Sequence, residues 1–225
     1  MRKLKLGLEW GLIIELFLAG IYLSLTRGLF LIYLTSMGYS VEGISLVVLV
    51  SAVFSSIISV LTYRFPYSLT RCFKLKFVLC HFTERFIWFL IPLTTGRLWI
   101  ILLYSIDMLV SSLVSVFMSL IIYGAFDEEG VRRVTAGRTA AGGISSVIGY
   151  FLATVLLAAL PENYKYNYFF YLGAAIGLLS TFLVSTLSYK GLEESFTIKK
   201  IGKPEELFST SLFYICFLAT SNLLG

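Results

Sequence analysis

The stretch AFDEEGVRRVTAGRTAAGGISSVIGYFLA, residues 125–153, runs from a dense group of charges straight into a row of small side chains. Asp127, Glu128 and Glu129 stand beside Arg132, Arg133 and Arg138, and charge at that density has no place in hydrocarbon. The segment therefore reads as a loop at a membrane surface. The apolar run behind it opens with small residues where a lipid-facing helix would carry Leu, Ile or Phe. At 100° per residue Gly142, Ser146, Gly149 and Ala153 fall on one strip, the small-xxx-small pattern that lets two membrane helices approach backbone to backbone. A surface loop followed by a closely packed helix is the unit from which the rest is read.

Of the 225 residues, 58% are hydrophobic and 14% charged, and the mean hydropathy is +0.87, outside the range of a soluble domain of this size. A hydrocarbon core of roughly 30 Å needs about 20 apolar residues per helical span. Runs of that length recur with few prolines or charges inside them, and barrel-type alternation is absent. Helices satisfy their own backbone groups and are the fold class that remains: an all-α membrane protein. Cys72, Cys80 and Cys216 have no CxxC spacing, so no disulfide framework, zinc site or other metal centre is expected. The net charge of +5 is assigned to membrane-facing loops rather than to nucleic acid.

Six spans are expected in a bundle over residues 1–188: about Leu8 to Leu34, Ile44 to Tyr63, Phe77 to Leu93, Leu98 to Tyr123, Thr139 to Leu160 and Phe169 to Leu187. The first is too long and too acidic for a signal peptide. The sixth holds Gly173-Ala-Ala-Ile-Gly177, a strict GxxxG, and Gly142, Gly149, Gly173 and Gly177 are assigned to helix packing. Residues 189–206 form a polar linker, and 207–225 a seventh apolar run. Fourteen of the eighteen Lys and Arg residues fall at the amino terminus, in the second-to-third and fourth-to-fifth loops and in the linker. The positive-inside rule then places the amino terminus in the cytoplasm of a multi-pass protein of the plasma membrane.

Ionisable side chains inside spans cost about 2.5–3.5 kcal/mol each on insertion scales and are normally paired or face a wet cavity. Glu15, Arg27, Glu84, Arg85 and Asp107 are such cases, with His81 beside them. Tyr104, Ser111, Ser115 and Ser119 lie within about 120° of Asp107 on a helical wheel, making one polar stripe. The stripe lines a cavity, or else Asp107 pairs with an arginine and the serines bond to their own backbone. In the first span Glu15 and Tyr22 share a face. Arg27 points elsewhere and lies about 18 Å along the axis from Glu15, so these two do not pair. Arg27 is left to hold an anionic substrate group or Asp107, or to serve a structural ion pair. His81, Glu84 and Arg85, one turn apart, read as a structural ion pair, with a proton relay through His81 as the alternative. Three acids against two arginines leave one acid over, Asp107, as a proton carrier. Substrate and proton are thus assigned to Asp107, Arg27, Glu15, Tyr104, Ser111 and Tyr22.

Six spans, a cytoplasmic amino terminus and a basic linker resemble the amino-terminal half of a major facilitator superfamily transporter. The Arg-Arg-x-x-x-Gly-Arg entry at Arg132 to Arg138 resembles that family's fourth-to-fifth loop, and Met37-Gly-Tyr-Ser-Val-Glu-Gly-Ile-Ser its short outer connection. The family's Gly and Asp-Arg signature is missing from Leu61 to Lys76, where only basic residues stand. The resemblance implies alternating access for a small solute, driven by an ion gradient and without a cofactor, with the first and fourth spans lining the cavity. The family normally has twelve spans in two related halves. The chain accordingly reads as truncated, its second half separately encoded, or as a homodimer. Membrane lipid is the other partner. A non-transporting protein or inactive remnant is the main alternative. A membrane-embedded enzyme is less favoured, since the chain has a single histidine and no HExxH, GxSxG or P-loop.

Overall fold

The computed structural model describes residues 2–65, 69–70, 72–161, 165–189 and 192; the side chains of 2–6 and of residue 63 are outside that description. The expected linker and seventh span lie outside the described residues. Those that are described form helices and short connections, with no strand among them. The helices are α1 (Arg2–Leu25), α2 (Arg27–Ser36), α3 (Val41–Arg64), α4 (Phe73–Leu90), a 3-10 turn (Ile91–Leu93), α5 (Arg97–Ala125), α6 (Glu128–Ala159) and α7 (Lys165–Thr186). Among the described residues, five segments are long and apolar enough to cross a bilayer: Gly7–Ser36, Val41–Thr62, Arg97–Ala125, Glu128–Ala159 and Lys165–Thr186. The third expected span, α4, is not among them. Its 18 residues carry Lys74, Lys76, Glu84 and Arg85.

Two sequence expectations change. The charged stretch after Ala125 is not a loop: only Phe126 and Asp127 lie outside helix, and Glu128 to Arg138 form the first three turns of α6. Asp127 caps this helix, its carboxylate accepting the Gly130 N–H at 3.0 Å, while Glu128 and Glu129 sit in the first turn, where acids favour the positive end of the helix dipole. At 1.5 Å per residue α6 runs about 48 Å, well beyond a hydrocarbon core of about 30 Å, so its charged turns extend past the apolar segment. The first span is also not one continuous helix. It breaks at Thr26, at φ −107° and ψ −82°, where the Thr26 hydroxyl donates to the Tyr22 carbonyl at 2.7 Å. Such back-bonding bends helices.

Neighbouring helices have definite directions. On α1 and α6, Glu9 meets Arg133, Glu15 meets Arg138 and Ser24 meets Ser146, a nearly constant offset that makes the two helices parallel. Ser51 and Ser55 of α3 reach Ser105 and the Met108 carbonyl of α5, again in parallel. The remaining major contacts are antiparallel. Phe73 and Trp88 of α4 meet Phe117 and Tyr104 of α5, and His81 and Trp88 meet Thr181 and Phe170 of α7. The α1–α2 segment pairs with α7 through Thr26 on Gly173 and Tyr33 on Tyr166. Helices therefore adjoin in the order α3, α5, α4, α7, α1, α6. The outward faces of α3 (Val48, Leu49, Val53) and α6 (Ile144, Val147, Phe151) are apolar and exposed, as lipid contact requires.

The α1–α6 seam is built from small residues on both helices, although the strip is rotated from the expected one. Ala141, Ser145, Gly149 and Ala153 are buried, with Gly142 and Ser146 at the edge. Gly20 and Ser24 are their counterparts on α1. A Cβ at Gly149 would lie 2.6 Å from Ser24 Cβ and 3.2 Å from the Ile21 Cα, whereas one at Gly143 meets nothing within 4 Å. Gly149→Val is expected to destabilise the bundle by about 1–3 kcal/mol through overpacking, with Gly143→Val close to neutral. Thermal denaturation of the two detergent-solubilised variants checks this.

Candidate functional site

The polar residues that the sequence scatters over separate spans are brought into one alternating chain of charges. At one end the Arg27 guanidinium donates from Nε to Asp107 Oδ2 at 2.9 Å, and its Nη2 lies 2.8 Å from the same oxygen. That Nη2 also donates to Glu84 Oε1 at 2.9 Å. The other Glu84 oxygen contacts Arg85 Nη1, and Arg85 Nη2 lies 3.8 Å from Glu15 Oε1. Glu15 Oε2 then accepts from Arg138 Nη1 at 2.8 Å. The order Asp107, Arg27, Glu84, Arg85, Glu15, Arg138 alternates sign at every step and links α5, α2, α4, α1 and α6.

Each member is positioned by local structure. Asp107 is fully buried, and its Oδ1 accepts the Trp88 indole N–H at 3.1 Å. Arg27 opens α2 just beyond the Thr26 break, and its Nη1 donates to Ser111 Oγ at 2.9 Å. Arg85 lies over the Tyr22 ring at 5.2 Å, a cation–π contact, and the Tyr22 hydroxyl donates to the Glu84 carbonyl at 3.3 Å. Room for Arg85 comes from Gly177, where a Cβ would collide with the arginine's Cγ. His81 is buried between Glu15 Oε1 at 3.2 Å and Thr181 Oγ1 at 3.1 Å. Tyr104 stacks on Phe30 with ring centroids 4.2 Å apart, beside Trp88.

Several sequence readings are changed by this geometry. Arg27 does pair with Asp107, and Glu15 and Arg27 make no direct pair, as the helical spacing requires. Ser115 and Ser119 return their hydroxyls to the Ser111 and Ser115 carbonyls, at 3.1 and 3.0 Å, while Ser111 alone of the three joins the chain. Glu84 and Arg85 do not form an isolated pair with His81: they are the middle of the chain and connect its two ends. The surplus acid disappears. Arg138 joins the network, so the three carboxylates of Asp107, Glu84 and Glu15 face three guanidiniums, those of Arg27, Arg85 and Arg138.

Arg138, Trp88 and Thr181 were missed by sequence reasoning, as was the bidentate pair from Arg133 Nε and Nη2 to Glu9 at 2.7 and 3.1 Å. The capping signal at Asp127 was the available clue, since a helix begun there carries Arg133 and Arg138 onto the face toward α1. No family model, curated protein or solved structure matches this chain.

The chain holds because every charge has a partner. Removing one member of a buried pair costs about 3–5 kcal/mol, since it strands the other. Glu15 is 2% exposed and the Arg138 side chain 12%. Arg138→Gln is therefore expected to destabilise strongly, and Glu15→Gln combined with it to cost less than the sum of the two single changes. Unfolding in mixed detergent micelles, as a double-mutant cycle, measures the coupling.

Proposed function

We propose that this chain is a six-span bundle of a secondary active transporter, resembling the amino-terminal half of a major facilitator superfamily protein, in a plasma membrane with its amino terminus in the cytoplasm. The observation that carries this reading is the pairing pattern of the helices. Exchanging the first three spans with the last three, α1 with α5, α3 with α6 and α4 with α7, converts each major contact into another of the same direction. The parallel α1–α6 pair becomes the parallel α5–α3 pair, the antiparallel α1–α7 pair becomes α5–α4, and α4–α7 maps onto itself. Two three-helix repeats of opposite topology have this signature, and they underlie alternating-access transport around a site near the bilayer midplane.

The same directions support α4 as a sixth crossing. The parallel pairing of α3 and α5 calls for an odd number of crossings between them, which α4 supplies. If α4 lay outside the bilayer, the two would run opposite ways. Its buried charges do not forbid this, because Glu84 and Arg85 are 3% and 2% exposed and each lies against opposite charge.

Solute movement would be non-covalent: the bundle rocks against a second half, and the ion pairs of Arg27 with Asp107 and Glu84 exchange between the two states. A non-transporting role is the alternative that the matched charges favour, because a chain of paired ions also serves as a static tie.

Single cysteines in a background lacking Cys72, Cys80 and Cys216 test the crossing count. An impermeant maleimide applied to intact cells is expected to label Ser36→Cys, Thr95→Cys and Pro161→Cys, with Glu129→Cys labelled only after permeabilisation. Protection of Thr95→Cys would remove α4 from the membrane. For activity, cells expressing the protein are expected to accumulate at least one small solute, seen by untargeted mass spectrometry, that cells with Asp107→Asn do not. Equal solute contents would overturn the transport reading.

A further inference from the structure

We infer that the site accepts a small monoanion at Arg27 and takes up a proton with it on Asp107, an inference that rests on the transporter reading for its purpose but on the charge chain for its content. Accessibility decides the sign of the ligand. Along the chain the Arg27 side chain is 20% exposed, the Arg138 side chain 12%, and the carboxylates of Asp107, Glu84 and Glu15 0%, 4% and 3%. The carboxylates stand behind the guanidiniums. A cation approaching Arg27 meets like charge before it reaches any acid, whereas a carboxylate or dihydrogen phosphate meets a guanidinium edge beside the Ser111 hydroxyl. Planar two-oxygen anions are what that donor fork matches.

Charge balance then dictates the proton. Three acids and three arginines sum to zero, so an anion entering alone would leave the buried chain with an uncompensated negative charge in a low-dielectric bundle. To bind at Arg27 the anion displaces a carboxylate from it. Asp107 is the one freed, because among the described residues Arg27 is the one cation that holds it, whereas Glu84 keeps Arg85. The groups facing Asp107 are Arg27 from α2, Glu84 and Trp88 from α4, the Tyr22 ring from α1 and the Tyr104 ring from its own helix. Among the described residues these include no other cation, so once Arg27 is engaged elsewhere the Asp107 carboxylate takes up a proton supplied by the buffered aqueous phase. The anion brings one negative charge, the proton one positive, and the site remains neutral. His81 is set apart from this step, since its two ring nitrogens are held by Glu15 and Thr181 at the other end of the chain.

The full-length protein in detergent, in weak buffer with a pH-indicator dye, tests this with lactate, benzoate and inorganic phosphate as probes and tetramethylammonium as the cationic control. Trp88 is buried against Asp107, while Trp10 and Trp99 are exposed, so tryptophan fluorescence reports the site. At least one anion is expected to bind saturably with uptake of a proton. Asp107→Asn is expected to retain anion binding without proton uptake, and Arg27→Gln to lose binding by tenfold or more. Ser111→Ala, which leaves every charge in place, is expected to weaken binding by about fivefold, the loss of one hydrogen bond. Saturable binding of tetramethylammonium in place of the anions, binding of no anion by folded protein, or anion binding with no proton taken up would each overturn the inference. None of these measurements requires flux, so intact results here beside absent solute accumulation in cells would count against transport alone.

Discussion

Three guanidiniums and three carboxylates in single file through an apolar bundle constrain every other part of the structure. Each ion withdrawn from water costs several kcal/mol, and the attraction between neighbours offsets this only if the partners are close and the remaining hydrogen bonds are made. The helices must therefore bring side chains from five elements into register to within about an ångström. Sliding α1 past α6 by one turn would part Glu15 from Arg138, and with them Glu9 from Arg133. The small residues of that seam, Gly20, Ser24, Ser145 and Gly149, fix the approach that makes those pairs. Packing and electrostatics thus specify the same arrangement.

The sequence made the membrane class legible because it follows from a local average, the recurrence of long apolar runs. It also exposed the polar side chains that matter, since a charge in an apolar run stands out wherever it falls. Partnership was harder to read. Glu84 and Arg85 are adjacent in the chain and so looked like a closed pair, yet each also reaches a charge from another helix, 57 and 70 residues away in the sequence for Arg27 and Glu15 respectively. Arg138 was assigned to a loop because six charges in twelve residues look like a loop. The Asp127 cap and the favourable placement of Glu128 and Glu129 at a helix amino terminus outweigh the glycines at 130 and 137, and the helix starts three turns earlier. That one misplaced boundary produced the unmatched acid.

The break at Thr26 shows a second limit. Nothing in the periodicity of the first span announces it, since a single Thr is only mildly unfavourable in a helix and the apolar run continues on both sides of Thr26-Arg27-Gly28. The bend depends on the hydroxyl's bond to Tyr22 and on the space at Gly173, which lets α7 lie against the bent segment. Its consequence is nonetheless central: the residue after the break is Arg27, the most exposed charge of the chain and the point where three side chains from two other helices converge.

The helix pairing is symmetric under exchange of the two three-helix sets, but the charges are not, and the reason lies at the contact that maps onto itself. Where α4 meets α7, two copies of Glu84 and Arg85 would crowd four charges into one interface of low dielectric. Instead α4 supplies His81, Glu84 and Arg85, and α7 supplies the Thr181 hydroxyl to His81 and the space at Gly177 to Arg85. One helix carries the charge and its counterpart the room for it. At the next layer both sides carry charge, but of different kinds: α1 and α2 bear Glu15 and Arg27, and their counterpart α5 bears Asp107 with its serines. Symmetric packing sets the helices in place, and the unequal distribution of charge between the two sets turns that packing into a polar chain with an acid at one end and a base at the other.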